Sequence, residues 1–246
     1  MENAILVTLS RQISLQRKLD IIANNMANMN TAGFKGDSLK FEEYLAPVAK
    51  LERFKAGDQG VKYVADPLMV RDMSAGSHRI TGRELDVAIS SEGWMVVNSP
   101  QGERFTKNGQ FKLSGDGTLV TSEGYPVMGD GGAITFEAGE TNIVIGKDGT
   151  IATSQGTKDK LRMVTFEHPE NMSKEGNSLY ASDETPGSSD KITITQGAYE
   201  TSNVQSMKQM TEMIETVRAY ASVSKMIEAT DDTRGKAIQQ LGSPPN

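Results

Sequence analysis

From Met1 to Ala32 the chain contains neither glycine nor proline, and its apolar residues recur at helical spacing: Leu6, Leu9 and Ile13, then Leu15, Leu19, Ile22, Met26 and Met29. The second group advances by alternating steps of four and three, which is a heptad seam, and the short step from Ile13 to Leu15 shifts the stripe around the helix. Gly33 is the expected stop. A second stretch free of glycine and proline runs from Ser202 to Arg234. In it Met207, Met210, Ile214, Val217, Ala221 and Ser224 fall at steps of three and four, with Met213, Tyr220 and Ile227 broadening the stripe on one flank. A helix of roughly 33 residues would be about 50 Å long, far beyond the ~11–12 residues of an average globular helix. Such a rod suits a bundle or an assembly.

Between these ends the period changes from helical to alternating. Strands are predicted at Leu85–Ile89, Trp94–Asn98, Glu103–Phe105, Gln110–Leu113, Leu119–Thr121 and Pro126–Met128. The turn signals Ser91-Glu-Gly93, Pro100-Gln-Gly102, Asn108-Gly109 and Gly115-Asp-Gly117 separate them, spaced as in antiparallel hairpins. DGTLVTSEG at 116–124 recurs as DGTIATSQG at 148–156, so one hairpin device is used twice. The division read from these patterns is a helix at 1–34, a connecting segment at 35–80, an all-β domain at 81–201 and a helix at 202–246. Within the connecting segment, Phe41 to Leu45 reads as a helical turn or a strand, and Ala56 to Gly60 as an exposed loop.

Composition removes whole classes of function. The net charge of -6 opposes binding to nucleic acid, and with no cysteine there is neither a disulfide framework nor a thiolate metal site. The ends carry +1 in total and the remaining -7 falls on the middle, so nearly neutral helices can pack while an acidic middle stays solvated. The N-terminus lacks a basic n-region and no stretch is apolar enough to span a bilayer; the expectation is a chain exported without a cleaved signal peptide.

Catalytic constellations are scarce. His78 and His168 have no metal-binding spacing, so no metal and no cofactor are expected. Glu84 and Asp86 could share a strand face as a glycosidase pair, but the bland reading is core residues Leu85 and Val87 alternating with solvated acids. The Gly-Asp-Gly turns at 115–117 and 129–131 lack the other ligands of a calcium loop. Asn24, Asn25 and Asn28 read equally as register-setting polar residues and as helix-end chemistry, and Asn30 as capping. The methionines read as adaptable core.

Four ordered segments resemble flagellar axial proteins, the components of rod and hook: LDIIANNMANMNTAGFK at 19–35, ELDVAISSEGWMVV at 84–97, ERFTKNGQFKLSGDGTLVTSEGYPVMG at 103–129 and GAYETSNVQSMKQMTEMIETVRAYASVSKMIEATDD at 197–232. DMSAGSHRITGRELDVAIS at 72–90 is similar to the proximal rod members, whereas VRAYASVSKM at 217–226 is closer to the distal ones. The resemblance implies an α+β protein whose terminal helices form a coiled-coil-like layer around an export channel, with a central domain of antiparallel hairpins outside it. It implies a non-enzymatic subunit of the rod in the periplasm. Its expected partners are further copies, neighbouring axial proteins of the FlgB, FlgC and FlgG types, and the flagellar export apparatus. On that reading the assembly residues are Leu6, Leu9, Ile13, Leu19, Ile22, Met26, Met207, Met210, Ile214, Val217 and Ala221, with Asn24, Asn25, Asn28 and Gly33 setting register or helix ends.

Overall fold

The computed structural model describes residues 2–40, 43–45, 62–64, 68–89, 92–187 and 192–242. The expected α+β organisation is present: helix α1 (Glu2–Ala27), a strand-rich middle and helix α2 (Ser206–Gly242). Both helices differ in extent from the reading above. α1 ends at Ala27, well before Gly33, and α2 starts at Ser206 and continues through Gly235. A single glycine costs a helix only about 1 kcal/mol relative to alanine, too little to stop one that long.

The chain forms two compact units, Met1–Met26 with Asp37–Val70 and Gln205–Asn246, and Ala27–Gly36 with Arg71–Val204. In the first unit, α1 and α2 are accompanied by paired strands. Asp37–Lys40 lies beside Leu68–Arg71, and Glu43–Leu45 pairs antiparallel with Lys62–Val64. Strand is therefore the outcome for 43–45, while Phe41 and the loop at 56–60 lie outside the described residues.

The second unit is built on a five-stranded antiparallel sheet. Its order is Met163–Val164, Trp94–Ser99, Gly102–Thr106, Leu179–Ala181, Ser173–Lys174. The strand Trp94–Ser99 shows why the sheet is central. Side chains alternate across a strand, and here both faces are covered: Met95 and Val97 enter a core with Val87, Ile89, Leu119 and Ile134, while Trp94 and Val96 enter another with Phe105, Val164 and Tyr180. Pro100-Gln101 makes the predicted hairpin, closing between Ser99 and Gly102.

The internal echo is a repeated turn. In the first copy Ser114 N–H donates to the Thr118 carbonyl (2.9 Å) and Gly117 N–H to the Ser114 carbonyl (3.0 Å). In the second, Gly146 donates to Thr150 (2.8 Å) and Gly149 to Gly146 (3.0 Å) in the same pattern. The aspartates follow suit. Hydrogen bonds from the Ser114 hydroxyl to Asp116, and from the Thr150 hydroxyl to Asp148, hold both carboxyls below their ordinary pKa.

Two readings need correction. Asn108-Gly109 is not a hairpin turn; it is a point of close approach, where Gly109 accepts from Val87 N–H at 2.9 Å and a Cβ would lie 1.7 Å from the Val87 carbonyl oxygen. Asp86 is not solvated either. It is wholly buried, accepts from the Thr81 hydroxyl at 2.6 Å and faces Arg83 at 3.5 Å.

Candidate assembly interface

The helices of the first unit separate the predicted assembly residues into two groups. On α2 the half-buried or buried positions include Gln209, Met213, Thr216, Tyr220, Val223 and Ile227, again at heptad steps, with Glu212, Ala219, Ser224 and Thr230 half-buried beside them. This seam is the flank of the sequence stripe. Its buried hydroxyl, Thr216, is satisfied by donating to the Glu212 carbonyl (2.6 Å), so a polar residue sits there without an orphaned group. From α1, Gln12 Nε2 reaches the Tyr220 hydroxyl (3.2 Å) and Ser224 Oγ (3.3 Å), which brings the two helices together.

The stripe itself points elsewhere. Met207 is 78% exposed, Met210 50%, Ile214 52% and Val217 47%, and Ala221 is exposed as well. α1 is divided in the same way: Leu19, Ile22 and Met26 are half-buried or buried, while Leu9 and Ile13 are exposed, as the shift of stripe at Ile13–Leu15 requires. Leu6 lies on α1 with its side chain outside the described part.

The asparagines take distinct positions. Asn25 is buried; its amide donates to the Asp37 carbonyl (2.8 Å) and its Oδ1 accepts from Asp37 N–H (3.0 Å), a strand-like pairing by a side chain. The same amide lies 3.4 Å from Gln209 Oε1 on α2. Asn24 is exposed, and Asn28 accepts from the Thr31 hydroxyl (3.1 Å) just past the helix end. Gly33 has φ +65°, and a Cβ there would lie 2.5 Å from the Lys107 carbonyl carbon. It is a packing site as well as a left-handed one.

In the second unit, polar residues that the sequence reading left aside form a buried clamp. Three chain segments, at 33–36, 72–77 and 200–203, run together. Lys35 Nζ donates to Glu200 Oε1 and to the Ser74 carbonyl, both at 2.7 Å, and Gly76 N–H donates to the same Glu200 oxygen at 2.8 Å. Asn203 Oδ1 accepts from Gly36 N–H (2.8 Å) while its amide donates to the Asp72 (2.8 Å) and Ser74 (3.2 Å) carbonyls. Lys107 joins as a second buried cation, 5.0 Å above the Trp94 ring. Burial pushes its pKa down to about 8, opposed by the Glu200 carboxylate and reinforced by Lys35. Each of these residues sits in a segment already singled out: Lys35 in Gly-Phe-Lys, Lys107 in Thr-Lys-Asn-Gly, Glu200 and Asn203 in Glu-Thr-Ser-Asn-Val. The available signal was a charge placed among apolar residues, but a charge in one segment reads as solvated until its partner from another is known.

Comparison with known proteins agrees with this layout. Residues 5–35 match the flagella basal body rod protein family, 88–153 the D1 domain of the flagellar hook proteins FlgE/F/G, and 195–240 the C-terminal segment of the flagellar basal body rod FlgEFG proteins. The chain is 37% identical to the flagellar basal-body rod protein FlgF of Caulobacter vibrioides, over 98% of this chain and 99% of that protein. It is 30% identical to FlgF of Mesorhizobium japonicum, over 99% of both. It is also 30% identical to the rod protein FlgG of Bacillus subtilis, over 89% of this chain and 91% of that one. The chain belongs to the flagellar basal-body rod protein family, as a structural rod subunit. Within that family it is of the FlgF type.

Proposed function

We propose that this chain polymerises with copies of itself and with neighbouring axial proteins into the proximal part of the rod, a hollow shaft in the periplasm that carries motor torque and encloses the export channel. The observation that supports this most directly is the exposed heptad stripe of Met207, Met210, Ile214, Val217 and Ala221, alongside a separate seam that α2 already uses within the subunit. A helix with two apolar seams has one more than its own fold covers. Open helical assembly asks each subunit for unlike surfaces whose contact repeats without closing. FlgB, FlgC and FlgG type proteins and the export apparatus are the partners this reading assigns, and it assigns no catalytic step. In its support, the one carboxylate pair weighed above does not converge, since Glu84 is exposed and Asp86 is wholly buried.

The deciding substitution is Ile214→Asp. Burial of a full isoleucine is worth about 1.5–3 kcal/mol per subunit, and an aspartate on a covered stripe adds a desolvation cost. Cells carrying Ile214→Asp should be non-motile and their rods should lack the protein, while Glu215→Gln on the same helix leaves swimming intact. Normal rod incorporation of Ile214→Asp would remove the stripe from the interface.

A further inference from the structure

The stripe left open on α2 begins with two sulfur atoms. Met207 is 78% exposed and Met210 50%, neighbours on one face near the start of the helix. Met226 is 58% exposed on the same helix, yet the period of 3.6 residues turns it away from the stripe. Other methionines are enclosed, Met95 at 0% exposure and Met172 at 3%. The chain has no cysteine, and its single tryptophan, Trp94, is buried. A mild oxidant therefore finds no thiol, and its first targets are the thioethers that solvent reaches.

Oxidation would reverse the character of this part of the stripe. The sulfur lone pair attacks one oxygen of hydrogen peroxide, and the S–O bond forms as the O–O bond breaks. The leaving hydroxide takes up the proton of the transferred oxygen and departs as water, so sulfur is oxidised by two electrons and the peroxide is reduced by two. The product, methionine sulfoxide, is polar where the thioether was apolar. On the free subunit water solvates the new oxygen. Under a covering partner it loses that water, and a buried polar group without a hydrogen-bond donor disfavours association by roughly tenfold or more.

We propose that Met207 and Met210 form an oxidation site that gates assembly: a peroxide converts them to sulfoxides on the free subunit and excludes it from the polymer, whereas an assembled subunit keeps both sulfur atoms covered. The inference rests on the polymer reading above, through the stripe that both residues share with Ile214 and Val217.

The test induces the chain in rod-building cells as hydrogen peroxide is added, so that each subunit meets the oxidant before it assembles. Peptide mass spectrometry then measures sulfoxide at every methionine in the free chain and in isolated rods. The free chain should be oxidised at Met207 and Met210 well before Met95 and Met172, and the sulfoxide fraction at the two stripe positions should be about tenfold lower in rods than in the free chain. Equal fractions in the two pools overturn the proposal, as does a free chain in which Met95 reacts as fast as Met207. Competition gives a second readout. Met207→Leu/Met210→Leu keeps apolar bulk without sulfur, and its share of the rods against co-expressed wild type, referred to the share without peroxide, should rise about tenfold under peroxide. Met226→Leu should show no such rise; a rise equal to that of the double variant, or none for either, overturns the site. If the double variant stays out of rods, the comparison of free and assembled wild type decides alone. Absence of the unaltered chain from rods built without peroxide would overturn the polymer reading itself, whereas rods that contain it with equal sulfoxide in both pools remove only the oxidation site.

Discussion

Lys35 and Glu200, 165 positions apart in the chain, meet at 2.7 Å with both side chains at 1% exposure. Neither could be buried alone, because an unpaired ion in a low-dielectric interior costs several kcal/mol. The pair closes the clamp that also holds Ser74, Gly76 and Asn203, so three distant segments are fixed by one ion pair and its hydrogen bonds.

Removing one partner should therefore cost more than removing the charges together. Lys35→Met is expected to lower the urea stability of the strand-rich unit by about 3–5 kcal/mol, because it strands the Glu200 carboxylate. Lys35→Met/Glu200→Gln should recover more than half of that loss, since a glutamine can still accept from Gly76 N–H. A double variant no more stable than the single one would show that the ion pair is not what holds these segments.

Close approach rather than turn geometry should govern the glycines. Gly109→Ala must move the Val87 carbonyl, which its Cβ would meet at 1.7 Å, and is expected to cost about 3 kcal/mol or more. Gly115 has nothing within 4 Å of its added Cβ, and Gly115→Ala should stay within about 0.5 kcal/mol of the parent. Thermal unfolding of the two variants separates them; equal melting temperatures would contradict the packing role of Gly109.

The Lys107 ammonium should leave a mark on stability above neutrality. Its pKa is about 8 in the folded protein against an ordinary 10.5, so between those values the unfolded chain binds more protons and stability rises with pH. Below pH 8 both states are protonated and the destabilisation is constant. Compared with Lys107→Met, whose profile lacks this contribution, the wild type should gain up to a few kcal/mol from pH 8 to 10.5. Parallel profiles for the two proteins would mean that Lys107 is not charged and buried as described.

Asn25→Ala should free Asp37 from α1. Two hydrogen bonds to one backbone unit are lost, which is expected to cost about 1–3 kcal/mol and to raise amide exchange at Asp37. Unchanged exchange there would leave the side-chain pairing without energetic weight.

The α+β order, the two helices and the hairpin at Pro100 were legible because they depend on local periodicity and turn chemistry, which neighbouring residues carry themselves. The heptad from Met207 to Ala221 was visible for the same reason. That α2 spends its flank, Met213–Thr216–Tyr220–Val223, on its own subunit and leaves the stripe exposed was not visible, because a heptad states that a face is covered without stating by what. Asn108-Gly109 misled, because the pair that favours a tight turn also fits wherever a backbone must pass close to another.

The sequence by itself determined where the chain is helical, where it turns and which faces are apolar, since those follow from spacing along one segment. Only the tertiary structure decided that Lys35, Lys107 and Glu200 are buried together and that Asp86 is enclosed. The physical reason is that a charge reads as solvated until its counter-charge is found, and here the counter-charge of Lys35 stands 165 positions away.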